Sequence, residues 1–444
     1  MFLVQVRRTD PSPPQSTPSP KEQTIAGLWK SSSKSLSLQR IAVAPLIAGQ
    51  RNLLIDALRG ICIVMMTIDH LPDNVLERFS NADYGPFGFF TGALGFIFLS
   101  GLVSGSVYKK CSRVHGSKAM ILRIFRRIRV IYLAQMFLFF SFFSAVVLHL
   151  YRSSNKSLDL FLNHPWKAVF LGATLLHEPT YVDILPMYCF FLALTPLVLW
   201  QFRSNHFWRV MLPSITLWLL FGFAIQLPLD PNGIDFGTFN PLSLQMVFIA
   251  GLAVGTGTIA FDRLRPAATK LMIAAALVIS IVLFLLRVGY VLSPALAAAI
   301  HPLHQWSSRR NLGPARLLNF MAFGLVVRWL TRGKDWSRCY NPVFRWLTLL
   351  GQHALPVFVW SILTRYFAMA FLPQNSSTVL RSIVMVLAVA SLAVPPLVID
   401  KYRHYKRNPS PVRIPVRIEE ARGHLREDGI FSTTIQEGPG VSFQ

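Results

Sequence analysis

Long apolar segments alternate with short basic or polar segments along most of the chain. Many of the apolar segments are about 18 residues or longer, enough for a helix to cross a hydrocarbon core of about 30 Å. The clearest are 86–108, 130–150, 182–200, 241–261, 271–292 and 380–399. They are continuous and lack the period-two alternation of membrane strands. The pattern predicts an all-α polytopic membrane protein of about ten transmembrane helices.

The basic residues indicate how these helices are oriented. The segment 109–129 contains Lys and Arg at eight positions and no acidic residue. Loops with this excess of positive charge remain on the cytoplasmic side. The N-terminus and the C-terminus are therefore both predicted to lie inside. Three residues disagree with this orientation, since they would lie outside in a ten-helix count: Arg309, Arg310 and Arg316.

Composition supports a membrane protein and divides the chain into three regions. Only 14% of the residues are charged, whereas a soluble domain has about 25%. The net charge of +24 lies between the spans, so it indicates topology rather than nucleic-acid binding. Residues 1–50 are rich in Pro and Ser and are predicted to be a disordered cytoplasmic N-terminus. Residues 51–400 form the predicted membrane domain, and 401–444 a cytoplasmic tail.

Two pairs of glycines lie in the second predicted span. Gly88 and Gly92 are four residues apart, and so are Gly101 and Gly105. Small residues at this spacing let two helix backbones approach closely. We therefore expect these glycines to pack helices together rather than to bind a ligand.

The first predicted span, 53–71, carries the ionisable residues Asp56, Arg59, Asp69 and His70. Arg59 and His70 are eleven residues apart, which places them about 20° apart around a helix and about 16 Å apart along it. Asp56 lies on the same stripe, and Asp69 points about a quarter-turn away. Ionisable residues inside a membrane usually face the protein interior and mark functional sites. The stripe therefore predicts one polar column that runs from Arg59 to His70.

This column fits an acyl transfer across the membrane. Arg59 near the cytoplasmic end would bind an anionic donor, and Asp56 would orient it. His70 near the outer end would act as general base, because histidine titrates close to neutral pH. Two structural explanations remain open: an Asp56–Arg59 pair that only stabilises the helix, and an interfacial His70.

Other polar residues give weaker predictions. Asp183 opens the fourth span in the run Asp183–Tyr188, beside the polar turn His177–Thr180. These residues could form an outer acceptor pocket, although Asp is also favoured at helix starts. His353 enters the ninth span from the cytoplasmic side and could meet the donor or simply lie at the interface. His301 and His304 have the spacing of metal ligands but lack a third ligand, so no metal site is expected.

Several blocks of the sequence resemble the OpgC family, whose members are membrane succinyltransferases of osmoregulated periplasmic glucans within the acyltransferase type 3 superfamily. An Arg and a His with ten residues between them mark that superfamily, and Arg59 and His70 match this pattern. The similar blocks are Arg51–Gly60, Met65–Pro72, Gly95–Gly101, Asp183–Tyr188, Asn240–Pro241, Leu312–Pro314 with Asn319, and His353–Trp360. The resemblance covers about 51–400.

The resemblance implies a ten-span enzyme of the inner membrane that transfers an acyl group from cytosolic acyl-CoA to hydroxyls of a periplasmic glucan. The group is expected to be succinyl, with acyl-CoA as a co-substrate and no bound cofactor. The predicted residues are His70, Arg59 and Asp56 for catalysis, Arg59, Arg126, Arg127 and His353 for the donor, and Asp69, Asp183 and Tyr188 for the acceptor. A glycan or lipid transporter that uses the same polar column is the alternative.

Overall fold

The structure is a computed structural model of the chain, and it describes the residues 52–71, 73–76, 88–148, 157–177, 181–225, 235, 237–259, 266–292, 306–334, 336, 341–373 and 375–407. The chain divides into two units, residues 1–54 and 55–444, and only Asn52–Leu54 of the first are described. The predicted N-terminal region 1–50, the last 37 residues of the predicted tail, and His301 and His304 lie outside the described residues.

Within these ranges the protein is all-helical, as predicted, and contains no strand. A short π-helical turn, Leu220–Ala224, continues the sixth helix. The helices are α1 Leu53–Asp69, α2 Gly92–Val147, α3 Ser157–Asn163, α4 Pro165–Ala173, α5 Ile184–Arg203, α6 Phe207–Leu219, α7 Pro241–Gly255, α8 Pro266–Leu292, α9 Pro314–Thr331, α10 Pro342–Gln352, α11 Ala354–Phe371, α12 Thr378–Ser391 and α13 Val394–Arg407.

Five helical segments of the described chain are long and apolar enough to cross a membrane: Gly92–Val147, Ile184–Arg203, Ala267–Leu286, Ala354–Phe371 and Thr378–Arg403. Many large apolar side chains on these segments face outward, as shown by Leu271 on α8, which is 72% exposed. An apolar surface of this extent suits contact with lipid. The protein is therefore a membrane protein, while the number of ten spans and the inside position of both termini stay predictions.

The basic segment 109–129 differs from the predicted loop, because it is helical and belongs to α2. Gly116 interrupts this helix with φ +82° and ψ 169°, a conformation that glycine adopts without steric strain. The Arg123 guanidinium lies 3.4 Å from the Cys111 sulfur, which is too close for residues twelve apart on one straight helix, where the rise would be about 18 Å. The chain therefore turns back on itself at Gly116.

Reciprocal glycine contacts join α2 to α7. A Cβ atom on Gly101 would overlap the Phe248 carbonyl, and one on Gly255 would overlap the Leu102 carbonyl. These glycines bring the two backbones together, so Gly101 packs helices as predicted. Gly88 does not, because it precedes α2 and adopts φ +79° in a turn beside the Asn319 side chain.

Similar contacts hold α1 between α2 and α10. A Cβ on Gly92 would lie 2.6 Å from the Cys62 carbonyl oxygen. At the other side, Gly60 on α1 packs against the backbone of Leu347, and Gly351 on α10 packs against the backbone of Asp56. Packing on two sides fixes the rotation of α1 about its axis, which decides where its ionisable residues point.

Local sequence signals define where several helices begin and end. Asn240 precedes Pro241, and its side-chain oxygen accepts from the Leu242 N–H at 3.1 Å. Asn341 and Pro342 repeat this arrangement at the start of α10. Asn is a favoured N-cap, and Pro is favoured at the first helical position. At the other end of the chain, α13 runs to Arg407, seven residues into the predicted tail.

Candidate active site

The buried face of α1 and the turn that follows it carry both residues of the predicted column. Ile63 and Met66, which are fully buried, lie between Arg59 and His70 on this face. His70 itself is only 4% exposed, and Arg59 is half-buried. The two polar residues therefore point into the protein, but apolar packing separates them. The column consists of two polar clusters about 16 Å apart along the helix.

The first cluster surrounds Arg59 and is called the Arg59 cluster; it consists of Asp56, Arg59, Arg127 and Tyr188. The guanidinium carbon of Arg59 lies 5.5 Å from the centre of the Phe96 ring, a cation–π contact. Asp56 and Arg127 both lie within electrostatic range of Arg59. Two guanidinium groups against one carboxylate leave a net positive charge, which favours an anionic ligand.

Tyr188 belongs to the Arg59 cluster through contacts on two neighbouring helices. Its hydroxyl lies 3.5 Å from the Ser104 hydroxyl on α2. Its ring packs edge-on against Phe248 of α7, with centroids 6.0 Å apart. Tyr188 lies five residues beyond Asp183 on α5, about 7.5 Å along the helix. The structure thus groups Tyr188 with Arg59, and not with the other two residues predicted to bind the acceptor.

The second cluster surrounds His70 and is called the His70 cluster; it consists of Asp69, His70, Tyr181, Asp183, Arg309 and Arg365. The imidazole of His70 packs edge-on against the Tyr181 ring, with centroids 4.8 Å apart. Its backbone carbonyl accepts a hydrogen bond from Arg365 of α11. The Nδ1 atom is buried and has no hydrogen-bond partner among the described residues. The ring is packed against Tyr181, and one of its nitrogens makes no hydrogen bond with the described residues.

Arg309 connects the acidic residues of this cluster. Its charge acts on Asp69, His70 and Asp183 together. The guanidinium also lies over the Phe239 ring, 5.3 Å from its centre. Arg309 therefore lies close to the three predicted residues at this end, Asp69, His70 and Asp183. The sequence had marked Arg309 only as a basic residue on the wrong side of the predicted topology.

Asp183 is held by the loop that precedes α7. Its carboxylate accepts from the Thr238 N–H at 2.6 Å, and only 3% of the residue is exposed. Gly237 adopts φ +74° directly above it, and a Cβ there would lie 2.7 Å from the Asp183 Cβ. Glycine therefore permits both the turn and the close approach. Asp183 does not cap α5 through its side chain; its side chain bonds the loop before α7 instead.

Two predicted donor residues lie apart from the Arg59 cluster. Arg126 is exposed, whereas its neighbour Arg127 is half-buried. The Nε2 atom of His353 lies 3.3 Å from a carboxylate oxygen of Asp400 on α13, and its Nδ1 atom lies 3.3 Å from the Leu349 carbonyl. The described contacts of His353 thus tie α10 and α11 to α13.

Sequence analysis missed three members of the His70 cluster, namely Tyr181, Arg309 and Arg365. A usable signal existed for Arg365, because it is a charged residue inside the apolar helix Ala354–Phe371, and such residues are functional candidates. Tyr181 gave no such signal. In the described part of the chain, no group of three or more His, Cys, Asp or Glu side chains has the arrangement of a metal site.

Comparison with known families now adds to this geometry. The model of the family described as OpgC protein matches residues 51–404, which includes α1 and every member of both clusters. The chain belongs to the OpgC family. Membership indicates a membrane transferase that modifies a glucan. A comparison with curated proteins finds no match.

Other blocks that resemble the OpgC family serve the scaffold around the clusters. The Asn240 amide donates to the Phe221 carbonyl at 2.9 Å and to the Asn311 side chain at 3.2 Å. Leu312, at φ +53°, presents its carbonyl to the Trp218 indole N–H at 2.8 Å. These contacts join α6, α7 and the start of α9. They support the segment that carries Arg309 into the His70 cluster.

Proposed function

We propose that this OpgC-family protein is an O-acyltransferase of the inner membrane, within the acyltransferase type 3 superfamily. It moves an acyl group from cytosolic acyl-CoA to a hydroxyl of a periplasmic glucan. One observation carries the proposal. A single buried helix face presents a net positive cluster at one level and a histidine with an available nitrogen about 16 Å further along.

The Arg59 cluster suits the donor. Arg59 and Arg127 offer guanidinium groups to the phosphates of CoA, which arginine binds through paired hydrogen bonds. The cluster is half-buried, so a large ligand can reach it from the surrounding solvent. Arg126 and His353 also contribute to donor binding, Arg126 through a weaker attraction that water and salt screen. Acyl-CoA acts here as a co-substrate, and the reaction needs no bound cofactor.

The His70 cluster suits the chemistry. His70 removes the proton from the glucan hydroxyl, whose oxygen attacks the thioester carbonyl. The C–O bond of the ester forms, the C–S bond of the thioester breaks, and the proton passes from His70 to the CoA thiolate. Asp69 and Asp183 bind neighbouring hydroxyls of the acceptor. A positioned general base of this kind accelerates a reaction by about 10²- to 10⁴-fold.

The test uses inside-out membrane vesicles that contain the full chain, with purified glucan inside and radiolabelled succinyl-CoA outside. The expected result is label on the glucan, with most of it lost in His70→Ala. His164→Ala serves as the matched control, because His164 is exposed at the start of α4 and should leave transfer unchanged. Glucan that crosses the membrane without label would contradict the proposal and favour a transporter. Normal acyl transfer by His70→Ala would also contradict the proposal.

A further inference from the structure

Arg365 is a buried cation of the His70 cluster. It lies on α11 with 5% of its surface exposed. Its guanidinium carbon is 3.7 Å from the centre of the Tyr181 ring, and Nη1 donates to the His70 carbonyl. Tyr181 packs against the His70 imidazole as well. Arg365 is therefore in contact with the backbone of the proposed general base and with the ring that holds its side chain.

Part of this guanidinium has no partner among the residues that the structure describes. Among the residues that the structure describes, no carboxylate lies within 4.0 Å of Arg365, and Nε is buried without a hydrogen-bond partner. A guanidinium has five N–H donors; one of them bonds the His70 carbonyl and another, on Nε, lacks a partner. Buried charges are normally paired, because an isolated ion loses its hydration. The described residues therefore supply no anion that pairs with Arg365, as expected of a site that binds an anionic ligand.

Arg316 shows the difference between this arrangement and a structural arginine. It is 1% exposed, and its guanidinium is satisfied by backbone carbonyls. Nε donates to Ser307 at 2.9 Å, and Nη1 donates to Phe89 at 2.9 Å. In Arg316 the buried Nε is paired, whereas in Arg365 it is not. The Nε of Arg365 is therefore a buried donor that a bound anion would pair.

We infer that Arg365 binds the terminal carboxylate of the transferred acyl group, and so selects a dicarboxylic donor over a simple fatty acyl donor. The inference rests on the proposed acyl transfer. The sugar hydroxyls are neutral, and the CoA phosphates bind at the Arg59 cluster about 16 Å away. The acyl group is then the part of the substrates that brings an anion, its terminal carboxylate, close to His70. This carboxylate stays bound from the first encounter with the donor to the formation of the product ester.

The test compares succinyl-CoA with butyryl-CoA, which has the same chain length but no carboxylate, using the purified full chain in proteoliposomes with glucan. Arg365→Gln keeps an N–H donor for the His70 carbonyl but removes the charge. We expect its kcat/KM for succinyl-CoA to fall about 10- to 100-fold, the usual effect of losing a charge-assisted hydrogen bond. Its kcat/KM for butyryl-CoA should change less than about threefold, since that donor never used the charge. Arg365→Lys should restore part of the preference.

Arg381→Gln is the matched control, because Arg381 forms an ion pair with Asp73 near the end of α1 and lies outside both clusters. It should leave the succinyl-to-butyryl ratio unchanged. The wild-type protein offers a test that needs no variant: it should prefer succinyl-CoA by at least about tenfold. Equal use of both donors by the wild type overturns the assignment. An equal loss of kcat/KM for both donors in Arg365→Gln also overturns it, because Arg365 would then stabilise the oxyanion or the fold. No transfer from either donor by the wild type overturns the proposed function as well.

Discussion

The Arg59 cluster and the His70 cluster lie on the same face of one helix but differ in burial and charge. Arg59 and Arg127 are half-buried, with a net positive charge around them. His70 and Asp183 are almost fully buried, at 4% and 3% exposure. Electrostatic interactions weaken in contact with water and strengthen away from it. The difference shows that one helix can carry a site suited to capturing a charged ligand and a second site suited to chemistry in a water-poor environment.

The largest expected effect tests this division of roles directly. His70→Gln should lower kcat by about 10²- to 10⁴-fold with little change in the KM for the donor, because it removes the proposed general base. Arg59→Gln should instead raise the donor KM by about 10- to 100-fold, since it removes a charge-assisted contact made in both the ground state and the transition state. Steady-state kinetics in proteoliposomes measure both. If both variants change the same constant, the two clusters do not have separate roles.

A smaller effect should come from the packing of α1 against α10 near Arg59. A Cβ on Gly351 would overlap the Asp56 carbonyl, so Gly351→Ala should destabilise the fold by about 1–3 kcal/mol. It should also raise the donor KM, because α10 is pushed away at the level of the Arg59 cluster. Thermal unfolding in detergent and donor kinetics measure the two effects.

Gly324→Ala is the control for this change. Gly324 lies within α9, and a Cβ there would meet nothing within 4 Å. Alanine favours a helix by about 1 kcal/mol over glycine, so this variant should be as stable as the wild type or more so. An unchanged stability of Gly351→Ala would show that α1 and α10 are less closely packed than described.

The smallest expected effect is the difference in donor KM between substitutions of two adjacent arginines on α2. Arg127 lies within electrostatic range of Arg59, whereas Arg126 is exposed. Arg127→Gln should raise the donor KM about three- to tenfold, and Arg126→Gln less than about twofold, since water and salt screen an exposed charge. Donor kinetics at low and high salt measure this difference. Equal effects of the two substitutions would make donor binding a property of the whole basic segment rather than of the Arg59 cluster.

The amino-acid sequence by itself determined the helical class and the pattern along α1. Apolar length makes membrane helices the available structure, because backbone groups in lipid must be paired within the segment. Helical geometry then places Arg59 and His70 on one stripe, since the repeat of 3.6 residues is local and does not depend on the rest of the fold. The break at Gly116 was not predicted, because a glycine within a basic helical segment is compatible with both a loop and a helix.

Only the tertiary structure decided what each end of the stripe contacts. Arg365 and His70 are 295 residues apart in the chain, and no local pattern specifies which helix faces meet. Tyr188 joined Arg59 rather than Asp183 because α5 carries it deeper along the α2 and α7 surface. The glycines that let α2 approach α7, and α10 approach α1, fix those rotations through backbone contact. Packing is a property of pairs of helices, so only the tertiary structure could bring Tyr181, Arg309 and Arg365 to His70.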